Sequence, residues 1–293
     1  MVDSFLRYLE FEKRYSKHTL ISYRNDLKQF LDFLEQSVVP VSLDQAEHHH
    51  IRGWLIELVQ SGLSPASVNR KIASLRSFYK YALRNHFIKQ NPTSRVRMLK
   101  AGKSLPVFAK ELELNKVLDQ MVYAEGFKGL RDQLVLEFLY ATGTRLSELI
   151  NLLETDIDKD QFQVKVSGKR NKQRIVPVPR SLIPLITNYQ DRKRIEFPDN
   201  YCRYLIVNNK GGQSYPMLIY RIVHKALNSI RSLEKQSPHI LRHTFATHLL
   251  NKGAELNAVK ELLGHSSLAA TQVYTHNSIA RLKEVFDQSH PKA

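Results

Sequence analysis

Apolar residues recur at three- and four-residue steps through the first hundred residues, and this spacing restricts that part of the chain to helices. The steps restart at helix signals. Ser16 is a candidate N-cap, Ser64 precedes a proline at the first helical position, and Asn91-Pro92 stops the last segment. The expected buried positions of the predicted helices are Phe5, Leu6, Leu9 and Phe11; Leu20, Tyr23, Leu27, Phe30, Leu31 and Leu34; Ile51, Trp54, Leu55 and Leu58; and Val68, Ile72, Leu75, Phe78, Tyr79 and Leu83.

The helix that begins at Pro65 carries basic residues on the faces opposite its apolar positions. These residues are Arg70, Lys71, Arg76 and Lys80. Such a face is suited to contacts with DNA phosphates, although a solvated helix face has a similar composition. We therefore treat the four residues as candidate DNA-binding residues.

The chain has 44 Lys plus Arg against 28 Asp plus Glu, a formal charge of +16. A charge of this size favours a polyanionic partner, usually nucleic acid, and both halves of the chain share the excess. One cysteine, Cys202, excludes an internal disulfide framework. We expect no signal peptide, no membrane span and a cytoplasmic location. The run from His48 to His50 is interpreted as a polar helix entrance, because consecutive histidines do not share a helix face.

Residues 93–107 are basic, weakly periodic and contain Gly102 and Pro106, as expected of an interdomain linker. We predict a helical domain over 1–92 and a second, mainly helical domain over 108–293. The alternating segment at 161–178 indicates a small β-hairpin within this second, α+β domain. Its helices are predicted near 110–122, 128–141, 180–195, 216–232, 239–251, 255–263, 267–274 and 277–288, with another that begins near Thr144.

Three local motifs in the second domain carry side chains suited to phosphate chemistry. In the first, YATGTRLSEL, Gly143 ends one helix so that Arg145 lies in the first turn of the next, beside unpaired N–H groups. An arginine fork holds two phosphoryl oxygens and stays charged at any working pH. Glu148, three residues on, is close enough to orient it, although an isolated RxxE is more often a surface ion pair.

The second and third motifs are SPHILRHTFATHLL and LGHSSLAATQVYTH. His239 and Arg242 lie one turn apart on one helix face, so a ring and a guanidinium can converge on one anion. His243 and His248 are interpreted as packing or supporting residues. Tyr274 is a candidate nucleophile, but an unperturbed tyrosine has a pKa of about 10 and requires nearby positive charge or a base. Phosphoryl transfer also requires donors for the non-bridging oxygens and an acid for the leaving oxygen.

In their order and spacing, these motifs strongly resemble the tyrosine recombinase (phage integrase) family, most closely its Xer-type members. The resemblance covers nearly the whole chain, because the helical first hundred residues are similar to that family's core-binding domain, a SAM-like helical bundle. The implied fold is that bundle followed by the tyrosine recombinase catalytic fold. The catalytic residues that the resemblance implies are Arg145, Lys169, His239, Arg242, His265 and Tyr274.

The resemblance also implies a mechanism and its partners. Tyr274 would form a 3′-phosphotyrosyl link to duplex DNA, which a free 5′ hydroxyl from a second duplex reverses through a Holliday junction. No cofactor is expected, because the covalent link conserves the bond energy without ATP or metal. The expected assembly is a tetramer on two duplexes, homomeric or with a related recombinase, in which the C-terminal helix docks into a neighbouring protomer or else packs locally. A DNA translocase of the division site is a further candidate partner.

The sequence departs from the family pattern at the hairpin turn. Where relatives commonly have Gly-Lys-Gly-Asn-Lys, this chain has Gly168-Lys-Arg-Asn-Lys172. Lys169 matches the family position of the general acid, a role that requires neighbouring arginines to depress its pKa towards neutrality. Lys172 is the alternative.

Four functional readings remain open at this point. The first is Xer-like resolution of chromosome dimers, and the second is integration or inversion of a mobile element. The third is a nicking-closing enzyme of the type IB topoisomerase kind, which shares the chemistry, and the fourth is a catalytically silent DNA-binding regulator. The sequence does not specify the target DNA.

Overall fold

The structure, a computed structural model, describes residues 1–37, 39–100, 102, 108–168, 173–200, 202–264 and 276–292, with the backbone alone for 276–281. The chain divides into two compact units, Met1–Ser104 and Leu105–Ala293. Lys169, Lys172, His265 and Tyr274, together with the helix predicted at 267–274, lie outside the described residues.

The first unit is helical, as the periodicity predicts. Helix α1 (Val2–Arg7) continues into a π-helical turn at Tyr8–Glu12, and α2 (Lys17–Glu35), α3 (His48–Gln60) and α4 (Pro65–Arg84) follow. The predicted start signals are confirmed, because the Ser16 and Ser64 hydroxyls accept hydrogen bonds from the N–H groups of Thr19 and Ser67. The entrance of α3 is polar, and the Nδ1 atom of His50 accepts a hydrogen bond from the Glu47 N–H at 3.0 Å.

An aromatic and aliphatic core holds these helices together. Trp54 packs against Phe30 at 5.0 Å between ring centroids, and both side chains are buried. Two predicted core positions are wrong: Phe11 is 72% exposed and Leu83 is 39% exposed. Phe11 lies in the π-helical turn, where the 3.6-residue period no longer holds. At the end of α4, Ala82 takes the inward position in place of Leu83.

Only some of the basic residues of α4 are exposed to solvent. Lys71 is buried, against the expectation of a solvent-facing position. Its ammonium donates to Asp26 at 3.1 Å and to the Gln29 side chain. A buried carboxylate requires such a partner, and the aliphatic lysine stem follows the apolar face inwards to reach it. The half-exposed side chain of Arg70 donates from Nη1 to Oδ2 of Asp26 at 2.5 Å.

The remaining basic residues of this face have different surroundings. Arg76 donates to the carbonyl oxygen of Val96, and Asn69 exchanges two hydrogen bonds with the backbone of Leu99. These contacts fasten residues 96–99 alongside α4. Lys80 is exposed on the same helix.

The second unit is built from eight helices and a three-stranded sheet in the described residues. The helices are α5 (Glu111–Gln120), α6 (Phe127–Thr142), α7 (Leu146–Ile150), α8 (Leu182–Glu196), α9 (Pro216–Leu227), α10 (Pro238–Asn251), α11 (Leu256–Leu263) and α12 (His276–Ser289). A 3₁₀ turn at Glu154–Asp156 leads into the strands β1 (Ile157–Asp158), β2 (Gln163–Ser167) and β3 (Gln173–Pro177).

The antiparallel sheet has the order β1-β2-β3, with Val164 opposite Val176 and Val166 opposite Arg174. The predicted hairpin is therefore present. Helix α6 lies at the centre of the unit, where it contacts α8, α9 and α10, and most of its residues are buried. The sheet and α6 belong to one continuous apolar core.

A second apolar cluster joins α10, α11 and α12. Leu282 and Phe286 of α12 are buried with Phe245 and Leu249 of α10. Past the helix, the ammonium of Lys292 donates to both carboxylate oxygens of Glu137, each at 3.1 Å. In this single chain α12 thus packs locally, which is one of the two expected arrangements. In the part of the chain that the structure describes, every helix is too short or too polar to cross a bilayer.

Candidate active site

The candidate site begins at the glycine that separates α6 from α7. Gly143 has a φ of +58° and ends α6, and its N–H donates to the carbonyl of Leu139 at 3.0 Å. A β-carbon here would lie 2.4 Å from the Phe245 ring, so both backbone and packing require glycine. The chain then turns through Thr144 into Arg145, which is the N-cap of α7. The predicted break at this glycine is confirmed.

Glu148 binds the start of its own helix and two arginines. One carboxylate oxygen accepts from the Arg145 N–H at 2.7 Å, and the other accepts from Nη1 of Arg145, also at 2.7 Å. Arg174 donates from Nη1 and Nη2 to the same two oxygens at 2.9 and 2.8 Å. Four donors fill the lone pairs of one carboxylate, so Glu148 has no capacity left to act as a base.

Arg174 was not identified from the sequence. It lies on β3, and its Nε donates to the carbonyl oxygen of Leu262 at 2.8 Å. Strand alternation was the available signal, since Arg174 and Val176 are two residues apart and both are buried. A buried arginine is rare unless it is paired, and its carboxylate partner comes from a distant part of the chain.

Arg242 joins the glycine turn to the end of α11. Its Nη1 donates to the carbonyl of Gly143 at 2.7 Å and its Nη2 to that of Leu263 at 2.6 Å. As predicted, His239 and Arg242 share the first turns of a helix that begins at Pro238. His239 is exposed and Arg242 is buried.

The electrostatics follow from three guanidinium groups around one carboxylate. Burial acts to raise the pKa of Glu148, but the hydrogen bonds and charge of Arg174 and the hydrogen bonds of Arg145 outweigh burial and hold that pKa below its ordinary value. Burial, followed by the charges of Arg145 and Arg174, lowers the pKa of Arg242 to about 10. Arg242 therefore stays cationic at neutral pH, and the cluster carries an excess of positive charge.

This cluster is suited to an oxyanion. Arg145 is 36% exposed, and among the described residues only its Nη1 and its backbone N–H are paired. Its remaining donors lie at the N-terminus of α7, where partial positive charge also favours anions. A phosphate diester offers two non-bridging oxygens, which a guanidinium fork matches in geometry and charge.

The two other histidines of α10 have the supporting positions that the sequence indicated. His248 is buried between the Tyr140 hydroxyl and the Ala109 carbonyl oxygen, each 2.9 Å away. His243 is half-buried beside Phe108. The described residues contain no group of three or more His, Cys, Asp and Glu side chains that would hold a metal ion.

Three of the six predicted catalytic residues fall within the described chain. Arg145 and Arg242 meet at the Gly143 turn, and His239 precedes Arg242 on α10. The other three lie outside the described residues. In the sequence, Lys169 falls between β2 and β3, and His265 comes directly after Gly264, the residue that follows α11.

Comparisons with known proteins give a consistent result over both units. The sequence model of the phage integrase family matches residues 108–281, and that of the phage integrase N-terminal SAM-like domain matches residues 2–86. These matches confirm the predicted fold class, a SAM-like helical domain followed by a mainly helical catalytic domain with a small sheet.

Individual relatives cover nearly the full chain. Tyrosine recombinase XerC of Bacillus licheniformis is 38% identical over 292 residues, which span 99% of this chain and 95% of that protein. Tyrosine recombinase XerC of Oceanobacillus iheyensis is 39% identical over 295 residues, 100% of this chain and 96% of that protein. Among solved structures, XerH site-specific recombinase bound to a palindromic difH substrate superposes with a TM-score of 0.74 at 24% identity, over 97% of this chain and 83% of that one.

The contacts at Gly143 generate a stability prediction. Gly143→Ala places a methyl group against Phe245 and forces an alanine into the left-handed region. We expect it to lower the free energy of unfolding of the second unit by about 1–3 kcal/mol more than Gly253→Ala. Gly253 is the matched control, because it has a φ of +92° but no atom within 4 Å of an added β-carbon. Urea titration followed by circular dichroism measures the difference, and equal losses would contradict the packing argument.

Proposed function

The chain belongs to the phage integrase family of tyrosine recombinases, and from that premise we propose that it cuts and rejoins DNA at specific sites through a 3′-phosphotyrosyl intermediate on Tyr274. The partner strand then attacks that intermediate, so that strands are exchanged through a Holliday junction. The observation that carries the proposal is the cluster of Arg145, Arg174 and Arg242 around a single carboxylate.

Each proposed catalytic residue has a distinct role. Arg145 and Arg242 hold the non-bridging oxygens and stabilise the charge that develops on phosphorus in the transition state. Tyr274 attacks phosphorus, Lys169 protonates the leaving 5′ oxygen, and His239 and His265 assist proton transfer and hold the phosphate. Because the phosphotyrosyl link keeps the bond energy, the cycle needs neither ATP nor a metal ion.

We assign the biological role by analogy with the relatives that carry the XerC name. An Xer-like enzyme would resolve chromosome dimers at a dedicated site, with four protomers on two duplexes. In that assembly α12 would dock into a neighbour in place of the local packing that it has in the single chain. A related recombinase and a DNA translocase are further proposed partners. Integration or inversion of a mobile element uses the same chemistry on different DNA.

The first unit contributes a proposed DNA-contacting face on α4. Lys80 is exposed, and Arg70 is half-exposed although it pairs with Asp26. Arg76 is partly committed to the Val96 carbonyl. Lys71 is no longer proposed as a DNA contact, because its ammonium is buried with Asp26.

The nucleophile assignment predicts a complete loss of covalent chemistry in Tyr274→Phe. A duplex nicked next to the cleavage position releases a short fragment after attack and so traps the enzyme on DNA. The wild type is expected to form a denaturation-resistant adduct in EDTA without ATP, and the variant, which lacks the attacking oxygen, is expected to form none. Gel electrophoresis of labelled DNA measures the adduct.

Tyr220→Phe is the matched control, since Tyr220 is an exposed tyrosine on α9 that has no proposed part in the chemistry. It should form the adduct at the wild-type rate. An adduct from Tyr274→Phe, or none from the wild type, contradicts the mechanism and favours a silent DNA-binding protein. Crossover products between two sites distinguish a recombinase from a nicking-closing enzyme, which would relax supercoils without exchange.

The general-acid assignment predicts that loss of only one of the two lysines, Lys169 or Lys172, makes the cleavage rate depend on whether the leaving atom needs a proton. Lys169→Ala should slow single-turnover cleavage of ordinary DNA by roughly 10²–10⁴-fold. Replacement of the bridging 5′ oxygen by sulfur should restore the rate, because a thiolate leaves without a proton. Lys172→Ala is the control and should show neither effect. If Lys172→Ala shows both effects instead, Lys172 is the acid.

The α4 face predicts different effects for two neighbouring lysines. Lys80→Met should lower the slope of log K against log salt by about 0.9, the value for one phosphate contact. Lys71→Met should leave that slope unchanged and instead destabilise the first unit, since it leaves Asp26 with one cation fewer. DNA titrations across a salt series measure the slope, and the fluorescence of Trp54, the single tryptophan, reports unfolding of this unit. Equal slopes for Lys80→Met and wild type would exclude Lys80 as a phosphate contact.

A further inference from the structure

Arg174 occupies a position between the predicted phosphate-binding arginine and the end of α11. Its Nη1 and Nη2 donate to Glu148, which in turn binds Arg145, and its Nε donates to Leu262. From this geometry we propose that Arg174 is a positioning residue for DNA cleavage, which holds Arg145 in place through Glu148 and fixes the end of α11 beside it. The proposal deepens the proposed function and rests on it.

Arg174 does not touch the phosphate itself. Its side chain is 5% exposed, and all three of its guanidinium nitrogens are engaged by protein acceptors. A direct contact with DNA would require at least one of these bonds to break inside the protein. Its effect on the reaction is therefore transmitted through Glu148 and the backbone of α11.

Charge balance explains why a second arginine is needed on Glu148. If Arg145 were the single cation on that buried carboxylate, the two charges would largely cancel and Arg145 would have little attraction left for a phosphate. With Arg174 in place, Arg174 matches the carboxylate charge. The charge of Arg145 is then in excess, while Glu148 still fixes its guanidinium by a 2.7 Å hydrogen bond.

The second contact of Arg174 positions the end of α11. Gly264 follows that helix with a φ of +65°, and a β-carbon there would lie 3.1 Å from Cδ of Arg174. Arg242 binds the next carbonyl, that of Leu263. Two arginines thus bind consecutive carbonyl groups at the end of α11, and both also reach the Gly143–Glu148 region. A lysine in place of Arg174 cannot make the paired bonds to Glu148 and the Leu262 bond together.

The test compares Arg174→Met and Arg174→Lys with wild type on the nicked duplex, at a range of pH values. Arg174→Met should keep DNA affinity within about 3-fold, because Arg174 is buried. Its single-turnover cleavage rate should fall on the order of 10²-fold, the cost of a misplaced catalytic group. Arg174→Lys should lose less, because the ammonium still neutralises Glu148.

The pH profile separates positioning from general packing. The charged groups that face Glu148 in the described chain are Arg145, Arg174 and Arg242. Loss of Arg174 removes a cation that lowers the pKa of Glu148, while burial continues to raise it, so that pKa rises. In Arg174→Met the cleavage rate should therefore begin to fall at a higher pH than in wild type as the solution is acidified. Arg174→Lys should keep the wild-type acid limb.

A double variant tests whether the effect passes through Glu148. If it does, Glu148→Gln combined with Arg174→Met should cleave no more than a few-fold more slowly than the slower single variant, and the shifted acid limb should disappear. Arg131→Met is the matched control, since Arg131 is equally buried and ion-paired in the same unit but binds Asp132 and Asn209. It should change thermal stability without moving the acid limb.

The outcomes distinguish this proposal from the one on which it rests. If wild type forms no adduct, both fail. If wild type forms the adduct, an unchanged rate and acid limb in Arg174→Met overturn the positioning role alone, as do multiplicative losses in the double variant. Should Arg174→Met fail to fold, Arg174→Lys decides, and a wild-type rate in that folded variant overturns the role of the bridging bonds.

Discussion

The buried carboxylate of Glu148 is the interaction on which the arrangement of the second unit depends. An unpaired charge in that position would be strongly destabilising, so the fold must bring donors to it from separate parts of the chain. Arg145 approaches from its own helix and Arg174 from β3, and between them they fill all four lone pairs. The sheet, α7 and, through Leu262, α11 are thereby fixed relative to one another.

The same contacts leave the site with more positive than negative charge. Arg242 adds to this excess of positive charge, and burial and the neighbouring arginines lower its pKa to about 10 because they disfavour a third cation. Such a cluster is stable only because backbone carbonyl groups accept from Arg242 and Glu148 accepts from the other two. An anionic substrate relieves the repulsion that remains, so the arrangement that costs folding energy without substrate favours binding with it.

Local sequence signals predicted where the helices of the site begin and end, whereas contacts between distant parts of the chain determine which charged side chains are paired. Glycine, proline and N-cap signals placed the break at Gly143 and the start of α10 at Pro238, because each acts within one or two turns. The motifs of the family identified Arg145, His239 and Arg242 as candidates. Arg174 was missed because its carboxylate partner lies 26 residues away in the sequence, and strand alternation alone does not show that an inward-facing arginine has such a partner. Lys71 was placed on the wrong face for the same reason, since Asp26 is 45 residues away from it.

In both units, therefore, buried acidic side chains determine which nearby basic residues are drawn into the interior as ion-pair partners. Asp26 draws Lys71 into the interior, Glu148 engages Arg174, and Glu154 binds the buried ammonium of Lys193 at 2.7 Å. A formal charge of +16 indicates an anionic partner but does not say which cations meet it. Lys80 and Arg145 keep exposed donors and are the proposed contacts to DNA, whereas their buried neighbours maintain the surfaces from which those donors project.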